Sequence, residues 1–286
     1  MGVTMKPAKF WHSIEDNVVS CSLCPHNCRI AEGKSGICRV RENVSGKLYA
    51  TTYGLVSSLA LDPIEKKPLG HFYPGSQILS LGGFGCNFHC PFCQNCHISL
   101  EYDKESGEYL TPADILGAAL RTVPKGNIGV AYTYNEPLIG YEFVYDCAKM
   151  VHEAGLKNVI VTNGFINELA LEELLPFIDA MNIDLKAFTR EFYQKIGGDL
   201  EAVKKTIVKA QQKCHLELTT LVIPGENEKD IIDIAKWLAS LSPDIPLHLT
   251  RFFPRYKYGD KAPANVMTIA RLAEQASIYL RNVMIK

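Results

Sequence analysis

From residue 77 onward, short apolar runs alternate with stretches of helical periodicity, and the alternation repeats six times. The spacing predicts strands at Gln77–Leu81, Ile128–Thr133, Asn158–Thr162, Ala180–Leu185, Leu216–Val222 and Leu247–Phe252. It predicts helices at Pro112–Thr122, Tyr141–Ala154, Glu168–Leu175, Leu200–Gln212, Glu228–Ser240 and Ala264–Leu280. Such a series of βα units builds a parallel sheet wrapped by helices. Right-handed crossovers make a partial or complete barrel its natural closure, with a flat doubly wound sheet as the competing topology. A chain of 286 residues, 47% apolar and 21% charged, has the material for that core. The expected class is α/β, a partial (β/α)6 barrel over residues 76–286. Residues 1–75 lack the βα rhythm and show only strand-like stretches such as Lys47–Leu59; they are expected to form a small cysteine-containing N-terminal region.

Parallel strands buried on both faces should read as nearly continuous hydrophobe. Several of these end in polar residues instead. Asn182, Asp184 and Lys186 share one face at the end of the fourth strand by the two-residue period. The second strand runs into Tyr132-Thr133-Tyr134-Asn135-Glu136-Pro137, the third ends Thr162-Asn163-Gly164-Phe165, and the sixth carries His248, Thr250 and Arg251. Unpaired polar groups in a core cost roughly 1–3 kcal/mol each, so these ends are expected to line a cavity for a polar ligand. C-terminal strand ends are where barrels and open α/β sheets place their sites. Taken singly, Glu136 also reads as an exposed loop residue, His248 as a satisfied core histidine, and Tyr132 and Tyr134 as wall packing.

The first strand leads through Leu81-Gly82-Gly83-Phe84-Gly85 into Cys86-Asn87-Phe88-His89-Cys90-Pro91-Phe92-Cys93, a C-x3-C-x2-C loop on that same face. Closed structural metal sites take four protein ligands. Three thiolates at Cys86, Cys90 and Cys93 point to a [4Fe-4S] cluster with one iron left open. Two alternatives remain at this stage: a zinc ion completed by Cys96 or His97, and Cys96 as a fourth cluster ligand in a ferredoxin-like run, which would make an electron carrier. A second group, Cys21, Cys24, Cys28 and Cys38, is spaced C-x2-C-x3-C-x9-C. It suits a structural zinc ion, a second iron–sulfur cluster, or reduced thiols without metal. This grouping of the ten cysteines argues against a disulfide framework. Cys147 reads as a buried bystander on a helix, and Cys214 receives no role.

Lys and Arg number 30 against 31 Asp and Glu, so no overall positive field favours nucleic acid. No stretch approaches the length of a membrane span. The start, MGVTMKPAKFWHSIEDN, lacks the apolar core of a signal peptide, and Lys6 stands where an acylation motif needs Ser or Thr. A cytoplasmic location is expected. The run Glu65-Lys66-Lys67-Pro68 reads most simply as a solvated turn, with a substrate-contacting role as the alternative.

The three-cysteine loop, with Phe92 before its last cysteine, and the polar strand ends resemble the radical S-adenosylmethionine (SAM) superfamily over roughly residues 76–255. Within it the chain looks most like the pyruvate formate-lyase activating enzymes. Cys93-Gln94-Asn95 resembles their Cys-His-Asn, and Tyr134-Asn135-Glu136-Pro137 stands where they carry Gly-Gly-Glu-Pro. Thr162-Asn163-Gly164-Phe165, Asp184-Leu185-Lys186 and Val222-Ile223-Pro224-Gly225 are similar to their Thr-Asn-Gly-Phe, Asp-Leu-Lys and Val-Val-Pro-Gly. The first cysteine group, with Asp62-Pro63-Ile64-Glu65-Lys66-Lys67-Pro68-Leu69, is similar to the radical SAM member of the AmmeMemoRadiSam system. Two departures from that branch stand out: Cys96 replaces a commoner Trp or Tyr, and no cysteine-bearing tail follows Lys286.

The resemblance implies a TIM-like radical SAM barrel and a cluster held by Cys86, Cys90 and Cys93, with SAM chelated at the fourth iron. It implies reductive cleavage of SAM to a 5′-deoxyadenosyl radical that abstracts hydrogen from an unidentified substrate, which could be a protein. Asn135 and Glu136 would border the methionyl part of SAM; Thr162, Asp184 and Lys186 would hold its amino and carboxylate groups; Asn95 would sit near the reacting end. A low-potential cluster needs an external reductant of the flavodoxin or ferredoxin type. A glycyl-radical activase is the enzyme alternative, and an iron–sulfur electron-transfer protein the non-catalytic one.

Overall fold

The computed structural model describes residues 5–286. Residues 1–4, the first part of the stretch read above as lacking a signal sequence, lie outside the described residues. The central sheet has eight strands in strictly sequential order. They are β1 (Ser58–Pro63), β2 (Gln77–Gly82), β3 (Asn127–Thr133), β4 (Lys157–Thr162), β5 (Ala180–Asp184), β6 (His215–Val222), β7 (Leu247–Arg251) and β8 (Val283–Ile285). β1 runs antiparallel to β2, and every other neighbouring pair is parallel. The six longest helices, one in each parallel crossover, are α1 (Pro112–Thr122), α2 (Tyr141–Glu153), α3 (Glu168–Leu174), α4 (Leu200–Gln211), α5 (Ile231–Leu241) and α6 (Val266–Ala276). The order never reverses, so the doubly wound alternative does not apply. β1 and β8 remain edges, and the barrel is partial.

Local chemistry sets these elements. Thr111 and Asp114 form a reciprocal capping box at the start of α1, with Pro112 at its first position. Tyr141, Val144, Cys147, Ala148 and Val151 bury one face of α2 at helical spacing, and Cys147 is the inert core thiol expected of it. The middle strands are buried on both faces, as at Val159, Ile160, Met181, Ile183 and Leu218.

Two strands depart from expectation. β8 adds a short seventh parallel strand after α6. The predicted stretch Lys47–Leu59 divides into Lys47–Ala50, Leu55–Val56 and the beginning of β1, because the chain turns at Gly54 with φ +76°. β1 therefore joins the barrel sheet although it precedes residue 76.

The loop between β1 and β2 crosses the sheet and explains several buried polar residues. Glu217 on β6 accepts from the backbone N–H of Gly70 at 2.9 Å and of His71 at 2.8 Å. His248 on β7 bonds the same carboxylate at 2.6 Å, and Asn182 on β5 donates to Pro68 O at 2.8 Å. Asn182 and His248 were expected on the ligand cavity; instead Asn182 bonds the loop backbone directly, and His248 bonds the Glu217 carboxylate that holds the loop.

The N-terminal region adds two small antiparallel sheets, one from Lys6–Pro7, Lys47–Ala50 and Arg41–Val44, the other from Trp11–Ser13, Val19–Cys21 and Arg29–Ile30. Arg41, 1% exposed, anchors it to the barrel through Glu142 on α2 at 3.0 and 3.1 Å.

Candidate active site

A cavity of about 510 Å³ opens at the C-terminal ends of β2–β7. Its wall includes Cys86, Cys90 and Cys93, and it also includes Asn95, Asn135, Glu136, Thr162, Asp184 and Lys186. The barrel thus gathers all nine residues singled out from the sequence around one space. Thr250 and Arg251 line it too, as expected, whereas Tyr132, Asn182 and His248 do not.

The cysteine loop is held by backbone fit. Gly85 has φ +83°, and a Cβ there would stand 2.6 Å from Val40 Cγ1 and 2.7 Å from Cys38 O. Only glycine fits between strand and loop. Phe88 N–H donates to Cys86 Sγ at 3.3 Å, and Asn163 Nδ2 lies 3.8 Å from the same sulfur. Burial, then Glu136 and the neighbouring thiol of Cys90, push Cys86 well above a normal thiol. Burial pushes Cys90 up to about 12, offset in part by Lys186. Iron binding would release these protons, because the ligand form is the thiolate.

The donor set fits a cluster with one open corner. Cys96 and His97 are not among the residues that line the cavity, although Cys96 lies within electrostatic reach of Cys93. Among the described residues, no three His, Cys, Asp or Glu side chains converge closely enough for a single metal ion.

Glu136 is the most constrained carboxylate. It is 3% exposed and accepts from Thr162 Oγ1 at 2.7 Å, Leu138 N–H at 3.0 Å and Asn163 N–H at 2.8 Å. Burial nevertheless raises it to about 7. Thr162 is committed to Glu136, and its oxygen also accepts from Gly164 N–H at 3.0 Å. Asn135 accepts from Gly83 N–H at 3.0 Å and donates to Gly85 O at 3.1 Å, so its amide braces the glycine-rich run. Asn95 donates to Tyr134 O at 2.7 Å, and Tyr134 sits in the left-handed region at φ +72°. These side chains shape the wall through each other.

Asp184 and Lys186 are different. They form an ion pair at 2.8 Å with side-chain exposures of 35% and 16%, beside the thiol of Cys90. Burial would lower Lys186, but Asp184 and Cys90 hold it firmly protonated. This pair is a partly open polar contact beside the cysteine loop, where a ligand's own charges can reach it.

Sequence reasoning missed part of the wall. Lys67, expected on a solvated turn, is 2% exposed, pairs with Asp62 at 2.9 Å and lies over the Tyr134 ring. Ser99 and Asn163 sit beside the cysteines, and only the Thr162-to-Phe165 run signalled either of them. Lys66, Arg251 and Lys286 add cationic groups to the wall.

Residues 81–238, more than half of the chain, match the Radical SAM superfamily. An uncharacterized protein of Methanocaldococcus jannaschii is 42% identical over 273 residues, covering 93% of this chain and 80% of that one. The pyruvate formate-lyase-activating enzyme of Clostridium pasteurianum is 28% identical over 163 residues, 53% of this chain and 66% of that one. The crystal structure of QueE from Escherichia coli shares the fold, with a TM-score of 0.52 at 15% identity, covering 82% of this chain and 94% of that one. The chain belongs to the Radical SAM superfamily, enzymes that use a [4Fe-4S] cluster to cleave S-adenosylmethionine to a 5′-deoxyadenosyl radical, and is distantly related to the pyruvate formate-lyase activating enzymes.

Proposed function

We propose that Cys86, Cys90 and Cys93 hold the cluster and that SAM occupies the cavity beside them, with its radical abstracting hydrogen from a substrate at the far wall. When bound, the cluster supplies the electron that breaks the S–C5′ bond. The observation that carries this reading is the shared cavity: three thiols without a fourth, facing a partly open ion pair at Asp184 and Lys186. That pair can exchange its internal contact for the carboxylate and ammonium of an amino acid. Glu136 and Thr162 form a fixed wall under the same ligand, Asn135 holds the glycine-rich run in place, and Asn95 ties the cysteine loop to Tyr134. Lys66, Arg251 and Lys286 also line the cavity and give part of its wall a cationic character suited to an anionic substrate.

The reading extends to the AmmeMemoRadiSam branch, on the strength of the first cysteine group and the Asp62–Leu69 run. In it the residues before β1 act as an accessory region to a catalytic barrel that includes β1, in the cytosol, with a flavodoxin- or ferredoxin-type donor supplying electrons. The direct test is anaerobic reconstitution followed by chemical reduction with SAM. Methionine and 5′-deoxyadenosine in equal amounts are expected; an iron-loaded protein that leaves SAM intact would overturn the reading and favour an electron-transfer protein. A glycyl-radical activase is the second reading, favoured by the 28% identity to a pyruvate formate-lyase-activating enzyme. An electron paramagnetic resonance doublet on mixing with a partner carrying an Arg-Val-x-Gly-Tyr-like loop would select it.

A further inference from the structure

Five cations line the 510 Å³ cavity, and three of them have a carboxylate partner. Lys66 and Lys67 share Asp62, and Lys186 pairs with Asp184. Arg251 and Lys286 are different: among the described residues, neither is held in an ion pair. The fold sets these two side by side. Arg251 ends β7 and Lys286 directly follows β8. Arg251 N–H donates to Lys286 O at 2.9 Å, and Lys286 N–H donates to Leu249 O at 3.0 Å. Parallel pairing of β7 with β8 thus brings both residues to the C-terminal rim of the last strand pair.

Each side chain is anchored by one bond that leaves its charge unspent. Arg251 Nε donates to Ala264 O at 2.7 Å, a neutral carbonyl, and the two terminal nitrogens have no partner among the described residues. Lys286 Nζ donates to Glu65 O at 2.6 Å, again a carbonyl, while the Glu65 carboxylate accepts from Gly75 N–H at 2.6 Å. A guanidinium with both terminal nitrogens free is matched to an oxyanion, which takes them bidentately. Phe253 adds a second feature. It is 50% exposed, lines the same cavity, and its ring centre lies 4.9 Å from the Arg251 guanidinium. An apolar plate therefore stands directly beside the charge.

SAM does not account for this end of the cavity. Its sulfonium, ammonium and carboxylate leave it a net cation. Asp184 ends β5, two strands from β7 and three from β8. At about 4.8 Å per strand, the Asp184–Lys186 pair and the unpaired cations stand on the order of 10–14 Å apart along the rim. One amino acid moiety cannot engage both.

We infer that Arg251 and Lys286 form an anion subsite for the substrate, an organic acid whose carboxylate or phosphate they hold and whose apolar body lies against Phe253. The inference deepens the radical SAM reading of this cavity and rests on it for the acid's role as substrate; binding of the acid does not depend on it. Held at the β7–β8 rim, the acid group would fix which carbon of the body faces the cysteine loop.

The test uses the anaerobically reconstituted protein with phenyl phosphate, benzoate and neutral benzyl alcohol as probes, read by calorimetry or ligand-observed NMR. At least one acid should bind saturably, with the millimolar Kd expected of so small a probe, and benzyl alcohol at least about tenfold more weakly. Whichever acid binds better identifies the oxyanion. Arg251→Met should weaken that acid at least about tenfold, whereas Arg251→Lys, which keeps the charge, should weaken it less. Thermal midpoints measured in parallel separate lost binding from lost fold. Benzyl alcohol binding as tightly as the acids, or an acid affinity unaltered by Arg251→Met, would overturn the subsite. SAM affinity measured on the same native sample tells the two readings apart. Protein that binds SAM but neither acid overturns the subsite alone; protein that binds an acid but not SAM keeps the subsite and overturns the radical reading.

Discussion

The two cysteine groups show opposite ways of building around sulfur. The loop at 86–93 offers three thiols to a 510 Å³ cavity whose walls carry a partly open ion pair. The group at 21–38 turns four thiols inward on a space for about one water, and the buried cation beside it is already locked to a carboxylate. Both have a charged pair at hand. Lys186 and Asp184 are 16% and 35% exposed, whereas Arg41 and Glu142 are 1% and 2%. A pair that water can reach can trade its contact for a ligand's charges at modest cost; a dry pair cannot. The difference teaches that openness, rather than the number of cysteines alone, separates a site for chemistry from a site for fixed structure.

The strongest way to break this contrast is to remove one thiol from the open group. Cys90→Ala should reduce reductive SAM cleavage to the level of a protein-free control, while far-UV circular dichroism stays near native. Cleavage at the native rate would dissolve the distinction. Next in size is the dry pair. Removing one partner of a buried ion pair costs about 3–5 kcal/mol because the other charge is stranded. Arg41→Met should lower the urea midpoint accordingly, and adding Glu142→Leu should restore most of the loss. A single variant within about 1 kcal/mol of the native protein would mean that the N-terminal region is not fastened through this pair.

The open pair should respond in affinity rather than stability. Asp184→Ala or Lys186→Ala is expected to weaken SAM binding at least about tenfold, or ~1.4 kcal/mol, in calorimetric titration of the anaerobic protein, with iron content unchanged. Loss of iron with unaltered SAM affinity would move the pair's role from ligand binding to cluster assembly.

Much of this was legible in the chain before folding. The six βα units appear where apolar periodicity changes from two to 3.6, and their ends differ from the observed ones by only a few residues at most, the largest shift being at α6. The polar strand ends marked the cavity because a parallel sheet has no other reason to carry Asp184, Lys186 and Glu136. The same argument misplaced Asn182 and His248, for a reason sequence does not carry: Asn182 finds its partner in the backbone of the 64–76 loop, and His248 finds one in the Glu217 carboxylate that the loop's N–H groups also bond. Lys67 was hidden for a related reason. A lysine in a polar run looks solvated until the fold sets Asp62 and the Tyr134 ring against it. β1 was not anticipated as a member of the sheet because an antiparallel edge strand next to Pro63 and a long loop has no βα signature.

The smallest effect tests the far wall of the open site, where two neighbouring lysines share one carboxylate. Lys67 lies 2.9 Å from Asp62 and is buried; Lys66 lies 3.1 Å from it with its side chain 65% exposed. Burial works against the Asp62 anion, but hydrogen bonds from Tyr134, Lys67 and Lys66 hold its carboxyl below the ordinary 3.8. A carboxyl with a depressed folded pKa contributes stability that is whole above pH 3.8 and is lost as the pH falls through the folded value. Lys66 supplies the exposed share of that hold, and exposed pairs are worth about 0–1 kcal/mol. Lys66→Ala should therefore shift the urea midpoint at neutral pH by no more than that, with the gap to the native protein closing as the solution is acidified below 3.8. SAM affinity and basal SAM cleavage should stay native, because Lys66 pairs with Asp62 rather than with Asp184 or Lys186. A gap that persists unchanged in acid would show that Lys66 acts through something other than Asp62. A fall in SAM affinity would place the cofactor across the whole cavity, and the division into a SAM wall and a substrate wall would fail.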